Sequence, residues 1–163
     1  LKTIASHNHP VTQVSWNDAL AYCKCYDKTL PSEVQWEYAA SERGQKKNQL
    51  FYWGNDLLVN DKYMCNTWNS GYPNTIGFQD GFKYTSPIGY FEANSLGIFD
   101  MAGNVWEWTD SNFKDESLAA MKTIKGGSFL CEPDFCHGFR VSSRMGTTPD
   151  TSLMHTGFRT AKN

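Results

Sequence analysis

No stretch of this 163-residue chain is long and apolar enough to cross a bilayer as a helix, and no block of lysine and arginine runs along it. The first absence argues against a membrane span. The second argues against a surface that tracks nucleic-acid phosphates, as does a formal net charge of −2 from 15 basic and 17 acidic side chains. No Met-led positive segment with an apolar core is present, but processing or cropping ahead of Leu1 would remove one, so the compartment stays open. A soluble protein is the expectation. Leucine, isoleucine and valine, the usual fillers of helical bundles, are sparse. No internal repeat or low-complexity linker divides the chain, and its length suits one core rather than two.

What is present is aromatic: 15% of residues are Phe, Trp or Tyr within a hydrophobic total of 40%. Ring packing is directional and fixes position more tightly than flexible aliphatic packing. Thirteen glycines and six prolines supply many turns. Together these predict a loop-rich α+β domain built from short elements.

The two capped helix signals lie in the first quarter. Ser15, followed three residues later by Asp18, predicts a capped helix from about Trp16 to Tyr26, with Ala19, Tyr22 and Cys23 on one face. Cys23 and Cys25 both read as buried packing residues. Pro31 and Ser32, with Gln35 at the third helical position, predict a second helix whose Trp36, Ala39 and Ala40 face the core. Residues 41–50 read as a polar surface loop. From Phe51 to Tyr90 the chain is rich in Asn, Gly, Asp and aromatics, a long irregular stretch that a compact domain tolerates only if something holds it. Val105, Glu107 and Thr109 alternate with Trp106 and Trp108, as in a short strand packed on one face. Residues 111–123 read as containing a short helix. Lys125 to Leu130 reads as an extended segment, and Arg140–Arg144 and Gly157–Arg159 as late strands joined through a turn at Thr147–Asp150.

Two kinds of metal donor stand out. Asn66, Asp80, Asp100, Asn104 and Glu107 offer oxygen atoms of the type that hard Ca²⁺ accepts, although no EF-hand loop is present. Five cysteines, an odd count, rule out a fully paired disulfide scaffold within one chain. Cys131 and Cys136 flank Glu132-Pro133-Asp134-Phe135, a spacing compatible with a disulfide, inert thiols, or metal and redox chemistry. Two thiolates suit Cu(I), whereas a histidine from His137 or His155 would complete a zinc shell.

The sequence resembles the formylglycine-generating enzyme, or sulfatase-modifying factor, family. The carriers are His9-Pro10-Val11-Thr12-Gln13-Val14-Ser15-Trp16, the segment Leu30 to Ala40, Gly103-Asn104-Val105-Trp106-Glu107-Trp108, Lys125-Gly126-Gly127-Ser128 and Gly157-Phe158-Arg159, with Cys131 and Cys136 marking the oxidase branch. The resemblance implies an irregular, loop-rich α+β fold related to C-type-lectin-like domains. Residues 1–163 would be the C-terminal catalytic portion of a single such domain, lacking family N-terminal sequence. It also implies copper-dependent aerobic oxidation of a cysteine in a sulfatase Cys-x-Pro-x-Arg segment to formylglycine. The expected partners are an unfolded or nascent sulfatase polypeptide, O₂ and a thiol reductant, with no nucleic acid and no membrane.

By the same resemblance, Cys131 and Cys136 hold Cu(I) beside Ser128, and Trp106, Glu132, Arg140 and His155 contact substrate. One structural Ca²⁺ takes Asn66, the Thr67 carbonyl, Asp80 and the Phe82 carbonyl, and a second takes Asp100, the Gly103 and Val105 carbonyls and Glu107. Val141 and Thr160 stand where eukaryotic members place disulfide partners, which favours a bacterial-like cytoplasmic protein over a secreted or endoplasmic-reticulum one. Glu132 and His155 replace the more usual His and Asn. The competing expectation is a calcium-dependent, noncatalytic protein or carbohydrate recognition module on the same scaffold.

Overall fold

The computed structural model describes residues 8–46, 48–69, 79–113 and 120–162. Helix α1 spans Trp16–Cys25 and α2 spans Glu33–Ala40, each opened by a reciprocal capping box: Ser15 with Asp18, and Ser32 with Gln35. Two two-residue strands, β1 (Leu58–Val59) and β2 (Lys62–Tyr63), form a small hairpin. The main sheet contains β3 (Trp106–Phe113), β4 (Met121–Lys125), β5 (Met145–Thr147) and β6 (Thr156–Phe158) in the order β5-β4-β3-β6. Only the β3–β6 pair is parallel. Among the described residues the rest is turn, loop and two isolated bridges, so the α+β, loop-rich expectation holds.

Indole N–H groups tie the layers together as their rings fill the core. Trp16 donates to the Thr109 carbonyl and Trp108 to the Val14 carbonyl, both at 2.9 Å, which fastens the approach to α1 onto β3. Trp36 donates to Glu107 across the α2–β3 interface at 2.6 Å. Phe51 stacks between Trp53 and Phe139, with centroid separations of 4.7 and 5.4 Å. These contacts satisfy the polar edge of each buried indole, which few other large side chains allow.

Four local expectations are corrected. The Lys125–Leu130 segment is not extended throughout: β4 ends at Lys125, and Gly126 and Gly127 turn the chain at φ of 92° and 70°. Residues 111–113 and 121–123 are strand, not helix, because the apolar and polar positions pair across β3 and β4; residues 114–119 lie outside the described set. Arg140–Arg144 is turn, since Arg140 and Ser143 donate locally to His137 and Arg140, and the strand starts at Met145. Cys25 is exposed whereas Cys23 is buried, since a two-residue step on a helix turns roughly 200°.

Lys125, at the end of β4, is fully enclosed. Its ammonium lies 3.0 Å from Glu37 and 5.5 Å above the Trp36 ring, and burial lowers its pKa against the opposing pull of Glu37. Glu37 itself is 43% exposed. Removing only the carboxylate leaves a buried charge uncompensated, whereas replacing the lysine with an apolar side chain of similar length removes the problem. Glu37→Gln is therefore expected to cost about 2 kcal/mol, below the usual loss for an enclosed pair because Glu37 is partly solvated, and Lys125→Met to stay within about 1 kcal/mol of the parent. A lysine whose folded pKa is depressed binds fewer protons folded than unfolded, so its contribution becomes more favourable as pH rises toward 10.5. Urea unfolding at pH 7 and pH 10 should show the parent gaining on Lys125→Met at the higher pH.

Candidate functional site

The turn that follows β4 brings Ser128 and the thiol pair against β3. A side chain at Gly127 would fall within 2.8 Å of the Phe139 backbone, and one at Gly138 within 2.4 Å of the Trp106 indole. Two segments of the loop therefore approach their neighbours at distances that only glycine permits. The Gly138 position is also 3.4 Å from the Cys136 sulfur, so the Trp106 ring and Cys136 share one wall.

Within the loop, the Cys131 N–H donates to the Ser128 carbonyl at 2.9 Å, and the Ser128 N–H points to the Cys131 sulfur at 3.4 Å. The Ser128 hydroxyl accepts from the Leu130 N–H at 3.3 Å. A second turn closes when the Cys136 N–H donates to the Glu132 carbonyl at 2.7 Å. Cys131 is buried and Cys136 half-buried, and both are free. Each thiol feels the other: the Cys136 side chain and burial raise the Cys131 pKa, and the Cys131 side chain lowers that of Cys136. Cys136 is therefore the sulfur of the pair that loses its proton more readily.

The expected substrate neighbours divide into two groups. Trp106 is buried against the thiol loop, and its N–H donates to the His155 carbonyl at 2.8 Å, which sets His155 beside it. The His155 Nδ1 and the Arg140 Nε are enclosed and have no hydrogen-bond partner among the described residues, and burial lowers the His155 pKa. Glu132 instead turns one carboxylate oxygen back to the Asp134 N–H at 3.0 Å. Phe135, between the two cysteines and 78% exposed, was not singled out from sequence. Its signal was an apolar residue in a short loop with no periodic pattern to bury it.

The oxygen donors also separate. The Asp80 carboxylate accepts the Thr67 and Phe82 N–H groups, each at 3.0 Å, and burial raises its pKa. Beside it, Asn66 is wholly buried, with its Oδ1 lacking a partner among the described residues. Among the described residues Asp80 forms no ion pair. In the other set, Glu107 accepts from Arg159 at 2.5 and 2.6 Å and from Trp36, and the same guanidinium reaches the Phe99 and Asp100 carbonyls at 3.1 Å. Asp100 accepts from the Gly89 N–H at 2.8 Å, and burial raises its pKa. Arg159 was legible as part of a motif, but its role as partner to Glu107 was not.

Among the described residues no group of three or more His, Cys, Asp or Glu side chains converges. Neither His137 nor His155 therefore completes a four-ligand zinc shell with the thiols.

Residues 2–163 match the family described as sulfatase-modifying factor enzyme 1-like domain. The chain belongs to that family. It is 39% identical over 166 residues to the mouse formylglycine-generating enzyme, covering 94% of this chain and 44% of that protein. It is 41% identical over 155 residues to the cattle inactive C-alpha-formylglycine-generating enzyme 2, covering 93% and 50%. A solved structure, that of PvdO from Pseudomonas aeruginosa, superposes with a TM-score of 0.76 at 25% identity, over 94% of this chain and 61% of that one. The chain thus spans about half the length of the curated relatives it matches.

The thiol assignment is directly testable. Anaerobic alkylation of metal-free protein, mapped by peptide mass, should modify Cys136 faster than Cys131 and at a pH below the ordinary thiol range. Cys131→Ala should move the Cys136 reactivity midpoint upward, because the neighbouring thiol that lowers its pKa is removed.

Proposed function

We propose that this chain carries the oxidising site of an enzyme that converts a cysteine in a Cys-x-Pro-x-Arg segment of an unfolded sulfatase to formylglycine, on a scaffold akin to C-type-lectin-like domains. The carrying observation is the pair of free thiols, Cys131 and Cys136, held in one loop beside Ser128 and Trp106. Two soft sulfur donors, one of them with a lowered pKa, fit Cu(I). Cu(I), when bound by Cys131 and Cys136, supplies the redox centre at which O₂ chemistry is possible.

The chain's own residues do the rest. The half-buried Cys136 leaves one side of the pair accessible to an incoming thiol, while the Trp106 wall and the Phe139 crossing shield the other. Holding the reacting cysteine against this wall replaces a chance encounter with a local one. The unpartnered Arg140 Nε and His155 Nδ1 are suited to hydrogen bonds with the main chain of an extended peptide, and exposed Phe135 offers an apolar contact for its proline. In the net reaction the substrate C–S bond breaks, a C=O bond forms and sulfur leaves as hydrogen sulfide. The balance takes up one O₂, two electrons from a thiol reductant and two protons, and releases one water beside the aldehyde and hydrogen sulfide.

The first oxygen set fits a structural Ca²⁺: Asp80 is a buried carboxylate without a cationic partner, next to the unpartnered Asn66 Oδ1, and the Thr67 and Phe82 carbonyls belong to the residues it already binds. The set of Asp100, Gly103, Val105 and Glu107 presents less need, because Arg159 already neutralises Glu107. Calcium titration should therefore find a tighter site and a weaker one. Asp80→Asn should abolish the tighter site and the melting shift that accompanies it. An unchanged melting temperature after verified calcium removal would reject the structural role.

A second reading, a noncatalytic recognition module, draws on the 41% identity to the inactive relative. One assay separates the two. Copper-loaded protein given O₂, reductant and Cys-x-Pro-x-Arg peptide should yield a product with the mass and hydrazide reactivity of an aldehyde. Cys131→Ala and Cys136→Ala should each reduce conversion by at least about 100-fold with loss of copper, as removal of a metal ligand does, and Ser128→Ala should retain more copper than activity. Binding of the peptide without conversion by copper-loaded protein would favour the recognition module.

A further inference from the structure

The turn that ends on Cys136 carries a carboxylate with no cationic partner among the described residues. The Phe135 and Cys136 N–H groups both donate to the Glu132 carbonyl, at 3.1 and 2.7 Å, so residues 132–136 close one tight turn. Pro133 stands at its first position, where a missing N–H leaves no bond unmade. The Glu132 Oε2 accepts the next N–H, from Asp134, at 3.0 Å. Glu132 thus caps the turn, a role that needs an acceptor oxygen but no charge. Among the described residues its Oε1 accepts no hydrogen bond, and Glu132 forms no ion pair.

This charge acts on the accessible side of the thiol pair. The Cys136 pKa, lowered mainly by Cys131, is pulled the other way by the Glu132 carboxylate, so the Cys136 sulfur lies within its field. Ser128, Trp106, Phe135 and Phe139 around the thiols are uncharged. Arg140 buries its Nε without a partner, and His137 is exposed beside Cys136. Asp134 carries a second carboxylate, but it is exposed and no hydrogen bond among the described residues fixes it, so water takes up most of its effect.

We propose that Glu132 is a specificity-determining residue that favours a substrate peptide with a basic side chain directly after the reacting cysteine and disfavours an acidic one there. This rests on the oxidase reading of the thiol pair, in which the peptide cysteine meets Cys136 and its proline meets Phe135. The residue between them is then tethered on both sides to the turn that Glu132 caps, with its Cα about 3.8 Å from that of each neighbour. A lysine there can reach the free carboxylate oxygen, whereas a glutamate meets like charge on an anion that the cap holds in place.

The test uses the complete copper-loaded protein and two Cys-x-Pro-x-Arg peptides, identical except for lysine or glutamate at the first variable position. Affinity is measured without O₂, by competition against a labelled peptide, so the ranking does not depend on turnover. The parent should bind the lysine peptide roughly tenfold more tightly at low salt, the size of one exposed attraction exchanged for a repulsion, and the gap should close in about 0.5 M salt. Glu132→Gln keeps a capping oxygen and removes the charge, so it should bind the two peptides within about twofold of each other, while Asp134→Asn should retain the preference. The salt series on the parent decides the matter even where a variant folds poorly. Equal affinity in the parent, a preference unchanged in folded Glu132→Gln, or no measurable binding of either peptide would each overturn the assignment. Peptides ranked as expected but not oxidised when O₂ is admitted would sink the oxidase reading and leave the charge selection standing.

Discussion

The Glu107 carboxylate sits where α2, β3 and the chain leaving β6 meet. One oxygen accepts the Trp36 indole N–H and the Arg159 Nε, and the other accepts the Arg159 Nη2. The same guanidinium holds the Phe99 and Asp100 carbonyls. A buried carboxylate survives only when its oxygens are satisfied by charge and hydrogen bonds, and a planar guanidinium meets that requirement with the geometry of a fork. The neighbouring positions in β3 depend on this anchor: Trp106 and Trp108 flank Glu107 and face the core, so a strand that shifted here would move the wall of the thiol site. The parallel β3–β6 pairing, with Glu107 opposite Gly157, places Arg159 just past the paired residues, where it can reach back.

Close backbone approach carries this order to the thiols. Trp106 rests against Gly138, and Phe139 crosses Gly127, so the loop from Ser128 to Cys136 is clamped at both ends by contacts that a β-carbon would block. Between the clamps, two short turns fix the loop through main-chain hydrogen bonds, while Cys131 packs into the core and Cys136 lies against its edge. The unequal acidity of the two thiols follows from that placement, with the more accessible sulfur losing its proton more readily.

Features governed by nearest neighbours were legible in the sequence. Both capping boxes, the core role of Trp36 and the strand at Trp106 follow from spacing within a few residues, and the structure has each of them. Features decided by distant partners were not. Residues 111–113 and 121–123 have no strong local preference and become strand because they pair with each other. The Glu107–Arg159 pair spans 52 positions, and the Lys125–Glu37 pair 88, so neither could be read from charge patterning along the chain. For the site, the residues were legible as a motif set, but the unequal burial of the two thiols, the turned-back Glu132 and the exposure of Phe135 depend on how the loop closes.

Stability and chemistry occupy separable parts of this fold. The scaffold is held by tryptophan N–H bonds, aromatic stacking and the Glu107–Arg159 anchor, all outside the thiol loop. The loop contributes mainly local turns and two sulfur atoms. Changes at Cys131, Cys136 or Ser128 would therefore alter reactivity while leaving the tryptophan bonds and the Glu107–Arg159 anchor in place, which gives a physical basis for similar identities, 39% and 41%, to a formylglycine-generating enzyme and to a relative named as inactive. Similarity over the whole chain measures the scaffold, and assignment of activity must rest on the few atoms around the paired sulfurs. Those atoms favour the oxidase reading here, because a recognition module would have no use for two free thiols of unequal acidity at the foot of an aromatic wall.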